Sequence, residues 1–389
     1  MKILLHKLFG GPSGLAGFLV LAALILVVLP IGLDNFRLNL VGKYLTYAFV
    51  AVGLVLCWGY GGILSLGQGI FFGLGGYCMA MFLKLEASNP ANTAIQTTPG
   101  IPDFMDWNQI TALPWFWKPF YSLPLTLIAI VAVPMLFAWL ISFALFKRRV
   151  GGVYFSIITQ ATTIVFFNFF NGQQKLINGT NGLTNFQTIF GANFNDPKTQ
   201  WIFYSLTVLF LAASYALCRW LTSGRFGRLL IGIRDDESRV RFSGYNPTEY
   251  KVLVFAVSGG LAGIAGAMYA LQTGIISPKA MDIAFSIEMV IWVAVGGRAT
   301  LVGAVLGALV VNYAKSILSE QFPQVWLFFQ GALFLIVVMV LPNGIVGWLR
   351  DDGWDKLMRL LGRGKYVTTY PSLEENPEVL EEQEQFENN

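Results

Sequence analysis

The sequence predicts an all-α polytopic membrane helix bundle of about ten transmembrane segments with both termini cytoplasmic. Three observations carry that expectation. Only 12% of the 389 residues are charged and 55% are hydrophobic, whereas a soluble chain carries about 25% charged residues. Apolar runs near the length that crosses a bilayer as a helix, roughly 20 residues, recur along the chain. Lys and Arg also gather in alternate connections between those runs, the bias that places them on the inner side.

Taken in order, the expected spans are Leu15–Leu33, Tyr44–Trp58, Ile63–Leu83, Leu123–Phe146, Val153–Phe170, Trp201–Leu221 and Val252–Thr273, then a short one at Ile283–Val295, followed by Leu301–Leu318 and Val325–Trp348. The first is too long for a signal-peptide core and has no small-residue cleavage pattern after it, so it reads as a retained span. An even number places both ends on one side. With the N-terminus inside, the inner segments hold most of the 26 basic residues, while Arg37, Lys43, Lys84, Lys118, Lys175, Lys198, Lys279 and Lys315 are assigned to the outer ones. The short stretches at 58–63 and 283–300 suit re-entrant segments as well as crossings. The domain plan is a cytoplasmic N-terminus at 1–14, a membrane domain at 15–349 with an inner loop at 222–250, and an acidic, solvated tail at 350–389.

Two outer loops differ in character. Glu86–Ser122 holds five prolines and Trp107, Trp115 and Trp117, so it cannot be one helix and suits the membrane interface. Gly172–Gln200 is rich in Asn and Gly and reads as an exposed connection.

Several function classes are excluded by what is missing. The single histidine, His6, has no second ligand nearby, and Cys57, Cys78 and Cys218 lie in separate apolar runs without metal-ligand spacing. Neither a Ser-His-Asp nor a Cys-His arrangement is available. No phosphate loop precedes Lys43 or Lys365. A net charge of +4 is too small and scattered for nucleic acid. Leu64–Gly69 superficially matches an ATPase signature but sits in an apolar run without the other nucleotide-binding elements.

Polar residues inside the spans are the candidates for a solute path. Ser65 and Gln68 stand in a glycine-dense stretch from Gly59 to Gly76. It reads either as close helix packing or as a broken helix whose freed backbone lines a polar path. Thr159, Gln160, Thr162, Thr163 and Asn168 crowd one span. The threonines suit bonds to their own helix, and Gln160 and Asn168 suit a cavity or a neighbouring helix. Glu288 is an acid well inside an apolar run, which marks either a functional carboxylate or a structural hydrogen bond. The GxxxG-like pairs at Gly259–Gly263, Gly263–Gly266 and Gly303–Gly307 predict tight helix contacts.

The inner loop from Thr222 to Tyr250 mixes charge with apolar knobs. Arg225, Arg228, Arg234, Asp235, Asp236, Glu237, Arg239 and Arg241 surround Leu229, Leu230, Ile233, Val240 and Phe242. The order suits one or two short polar helices. It is either a plain positive inner loop or an element that docks into a soluble partner.

The runs Gly61–Gly69 and Gly224–Gly266, the latter ending in Tyr250-Lys251-Val252 through Ala265-Gly266, resemble permeases of the branched-chain amino-acid ABC importer family over nearly the whole chain. Within that family, Arg234–Phe242 and Ile287–Arg298 are most similar to the urea-type permease subunit. Ala299 stands where that subgroup carries Gly. The resemblance implies a bacterial inner-membrane protein paired with a second related permease, two ABC ATPase subunits and a periplasmic substrate-binding protein. It implies no covalent chemistry and no cofactor bound by this chain, ATP being used by the partner subunits. Residues 225–245 would be the coupling region in the ATPase groove, and the expected solute is urea. Branched-chain or related amino acids are the alternative within the class, and a passive channel for small neutral solutes is the alternative outside it.

Overall fold

The computed structural model describes residues 34–88 and 100–325, with scattered positions at 32 and between 328 and 348. The N-terminal segment, most of the outermost runs at 15–33 and 325–348, and the tail at 350–389 lie outside the described residues. The second expected span begins at Asn35 rather than Tyr44: α1 is Asn35–Leu54 and continues through a wide helical turn at Val55–Tyr60. The helices that follow are α2 (Gln68–Ala87), α3 (Leu123–Lys147), α4 (Gly152–Gly172) and α5 (Pro197–Ser223). Then come the short α6 (Arg225–Asp235) and α7 (Glu237–Phe242), the long α8 (Pro247–Thr273), the short α9 (Ile283–Gly296) and α10 (Leu301–Gln321). Among the described residues seven helices are long and apolar enough to cross a membrane.

Local chemistry sets the ends. Asp236 accepts from the Arg239 N–H at the start of α7, Asn246 accepts from the Thr248 N–H at the start of α8, and Thr300 accepts from the Gly303 N–H at the start of α10. Each supplies an acceptor to an otherwise unpaired first-turn donor. Pro197 and Pro247 open their helices, where no N–H is required. Gly274, at φ +67°, ends α8 in the left-handed conformation that closes helices without a side-chain penalty.

Helices α1, α2 and α8 form the core and are buried on nearly all sides, whereas α3, α4, α5 and α10 each leave an apolar face exposed. Leu125, Ile128 and Leu136 on α3 and Val153, Ile157 and Val165 on α4 belong to those outward faces. Gly75 faces Gly263, and Gly266 faces the Phe72 carbonyl. Any side chain there would strike backbone, so α2 and α8 approach as closely as two helices can. Gly259 and Gly263 receive Pro134 and Ala138 of α3, and Gly303 and Gly307 receive Gly296 and the Trp292 carbonyl. The glycine pairs are therefore packing seams, as their spacing predicts.

Both short stretches are interruptions. After Tyr60 the chain leaves helical geometry, and α2 resumes only at Gln68. At 14 residues, α9 spans about 21 Å, short of the ~30 Å hydrocarbon thickness. The segment preceding it runs beside α2, since Gly76 faces Ile276, Gly73 faces Met281 and Gly69 faces Ala280 and Ser286. Ile275–Ile276 pairs antiparallel with Leu183–Thr184, joining the connection after α4 to this segment.

The connection after α2 contains short turns at Asp103–Trp107 and Lys118–Tyr121, as its prolines require. It is held down by buried Lys84, whose Nζ lies 2.9 Å from Asp103 Oδ2. Trp107 and Trp115 project outward while Trp117 is buried.

Candidate functional site

The polar candidates separate into three places. At the break between α1 and α2, the segment 61–67 runs along the first turns of α4. Ser156 Oγ donates to the Leu64 carbonyl (2.7 Å), and the Leu66 N–H donates to Thr159 Oγ1 (3.2 Å). Ser65 Oγ accepts from the Gly67 N–H, and the Gly69 N–H donates to Ser286 Oγ, each at 3.2 Å. Gln68 is fully buried and its Nε2 donates to Ser258 Oγ (3.2 Å), leaving Oε1 without a partner. Freed backbone groups and an unpaired amide oxygen thus converge on one buried junction, which fits the broken-helix reading of this stretch. The structure brings Ser65, Gln68 and Thr159 together there and adds Ser156, Ser258 and Ser286.

The rest of α4 behaves differently. Thr163 donates to the Thr159 carbonyl, Thr162 to that of Ile158 and Asn168 Nδ2 to that of Ile164. Asn168 is exposed on the outer face of the chain, and Gln160 is half-buried. Asn168 therefore does not join the junction, because one helix cannot turn positions 159 and 168 onto the same inward stripe.

The second place is the Glu288 carboxylate. Lys315 Nζ of α10 lies 2.8 and 2.7 Å from its two oxygens. The Glu288 side chain is 6% exposed and that of Lys315 34%. Lys315 and Lys43, read from the sequence as outer residues, stand within α10 and α1. A missed signal was available, since Lys315 lies inside the apolar run Leu301–Leu318. Burying one carboxylate alone is costly, and a matched cation with two hydrogen bonds offsets that cost. One turn away along α9 on either side, Phe285 meets Tyr47 and Phe72, and Trp292 stacks on Tyr47 at 4.7 Å between ring centroids; Tyr269 packs on the same Tyr47 and Phe72 rings.

The third place is the α6–α7 segment. Leu230 and Ile233 are buried against the bundle, while Arg225, Arg228, Arg239 and Arg241 are exposed. Arg241 pairs with Glu237 at 2.9 Å, Lys251 with Glu237, and Arg239 with Asp236 at 3.6 Å. Asp235 accepts from Arg234 Nε at 2.9 Å. Arg234 Nη1 also donates to the Gly59 carbonyl at 2.7 Å, so this arginine reaches the break described above. Phe242, 94% exposed, and Tyr245 project from the far end. A charged, amphipathic pair of helices with bare aromatic rings is suited to a soluble partner's groove rather than to solvent alone.

Residues 36–338 match the family described as branched-chain amino acid transport system / permease component. The chain belongs to that family. The high-affinity branched-chain amino acid transport system permease protein LivM of Salmonella typhimurium is 23% identical over 373 residues, covering 90% of this chain and 79% of the relative. LivM of Escherichia coli is 22% identical over the same shares, and the permease protein LivH of Salmonella typhimurium is 24% identical over 78% of this chain and 91% of its own length. No solved structure matches. The permease is therefore an integral, multi-pass, non-catalytic subunit of an ABC transporter, and ATP hydrolysis falls to separate subunits.

Proposed function

We propose that the permease forms one half of the membrane pathway of an ATP-driven importer for branched-chain or related amino acids. The family match across 36–338, together with relatives whose names specify branched-chain amino acid transport, carries this reading. In this reading a second related permease completes the pathway, a periplasmic binding protein delivers the solute at the outer connections, and one of the complex's two ABC ATPases docks on α6–α7. The setting is the bacterial inner membrane. ATP is consumed by the ATPase subunits, not by this chain.

The urea reading retains one specific support, the likeness of Arg234–Phe242 and Ile287–Arg298 to the urea-type subunit. Uptake of labelled leucine and urea, in parallel, by vesicles holding the complete complex and internal ATP decides between them. Uphill leucine uptake is expected. Urea uptake without leucine uptake overturns the solute, and flux independent of ATP overturns the importer in favour of a passive channel.

A further inference from the structure

We infer that movement of the α6–α7 segment enters the transport pathway at the Gly59–Gly62 turn and that Arg234 is the positioning residue that transmits it. This rests on the reading of α6–α7 as the ATPase-docking segment and adds the route from there into the membrane.

Four observations define the route. The wide turn at Val55–Tyr60 and the loss of helix after it leave the Gly59 carbonyl available, and Arg234 Nη1 takes it at 2.7 Å across a separation of 175 residues. Gly62 sits at φ +69° with a hypothetical Cβ only 2.8 Å from Arg234 Cγ, so the turn's backbone lies directly against the arginine stem. A Cβ on Gly59 would overlap the Arg298 carbonyl, and the Arg298 guanidinium lies over the Trp58 ring at 5.7 Å. The end of α1 is therefore enclosed between α6 and the α9–α10 turn. At its other end, the segment 61–67 is hydrogen-bonded to α4 through Ser156 and Thr159 and leads into the buried Gln68 junction.

Other contacts also tie this segment down: Leu230 and Ile233 are buried, a Cβ on Gly227 would strike the Thr222 carbonyl of α5, and the link from α7 to α8 passes an exposed turn with Gly244 at φ +86°. The Lys251–Glu237 pair is the competing tie, and it leads into α8. Arg234 instead grips backbone, which has no rotamer to yield. A shift of α6 therefore displaces the Gly59 carbonyl, and the short 61–67 segment carries the shift to the polar residues of α4 and α2.

The test uses the complete complex in liposomes, with ATP hydrolysis and uptake of whichever solute the wild-type complex accumulates measured in the same sample. Arg234→Ala is expected to lower the solute moved per ATP by about fivefold or more, the scale of a typical coupling energy. Arg234→Lys, which keeps a charged donor, is expected to recover most of it. Gly59→Ala drives a methyl group against the Arg298 carbonyl, shifting the turn from its other side while leaving every side chain of the docking surface in place, and it is expected to uncouple in the same way. If Arg234→Ala fails to assemble, Arg234→Gln, which keeps a neutral donor of intermediate length, is measured in its place. An unchanged solute-to-ATP ratio in Arg234→Ala or in Gly59→Ala overturns the inference, as does uncoupling by Lys251→Met alone. Failure of the docking reading is seen separately: Arg239→Glu would then leave co-purification of the ATPase unchanged.

Discussion

Lys315 closes both oxygens of the Glu288 carboxylate, at 2.8 and 2.7 Å, from a helix that begins only after α9 has ended. A charge buried in the bundle is thus held by a partner 27 residues away, and the hairpin of α9 and α10 is locked in register by that pair. Removing either side alone strands the other. Glu288→Gln or Lys315→Met is expected to destabilise the folded complex by about 3 kcal/mol, the low end for a buried pair because Lys315 keeps partial access to solvent. The double variant is expected to regain most of that loss. Thermal unfolding in detergent reads both, and a double variant as unstable as the worse single one would refute a pairwise role.

Gln68 presents a different balance. Its Nε2 is bonded to Ser258, yet its Oε1 has no partner. Gln68→Leu loses one hydrogen bond and removes one unsatisfied acceptor, so stability should change by no more than about 1 kcal/mol. If the junction lies on the solute path, uptake nevertheless falls while the complex assembles normally. Wild-type uptake at matched expression would make Gln68 a structural residue.

The seam between α2 and α8 tolerates no added carbon. Gly266→Ala forces a methyl group against the Phe72 carbonyl, and Gly75→Ala forces one against Gly263. Each is expected to cost about 1–3 kcal/mol, as overpacking does. Gly260→Ala is the control, because the nearest atom to its Cβ is Val131 Cγ1 at 3.5 Å. Yield and thermal stability of the three proteins should rank the control beside the wild type; equal loss at Gly260 would contradict the seam.

Phe242 is bare on the end of the α6–α7 segment. As a buried aromatic anchor in an ATPase groove, it would contribute about 2 kcal/mol to association. Phe242→Ala is therefore expected to weaken ATPase binding about thirtyfold at unchanged stability of the permease itself. Titration of the purified ATPase onto the permease in nanodiscs measures this directly, and an unchanged affinity places the docking surface elsewhere.

The all-helical membrane class, the packing role of the glycine pairs and the amphipathic inner segment follow from the order of residues alone. Each depends on local quantities: the length of an apolar run, the absence of a side chain, the spacing of charge along a helix. The break before Gln68 was legible as a density of glycines, although whether it meant packing or interruption was open, and the structure contains both. Three relationships came only with the tertiary fold. Lys315 lies inside an apolar run of the sequence, but only the packed α9–α10 hairpin shows that its ammonium closes on the Glu288 carboxylate. Asn168 and Thr159 are both polar residues of one span, and only the packing of α4 shows that Thr159 turns inward and Asn168 outward. Arg234 and Gly59 are separated by 175 residues, and no local pattern joins a guanidinium to one particular free carbonyl. Hydropathy determines which segments enter the membrane; which polar atoms then satisfy one another is decided by how the helices pack, since in that medium each must find its partner within the protein.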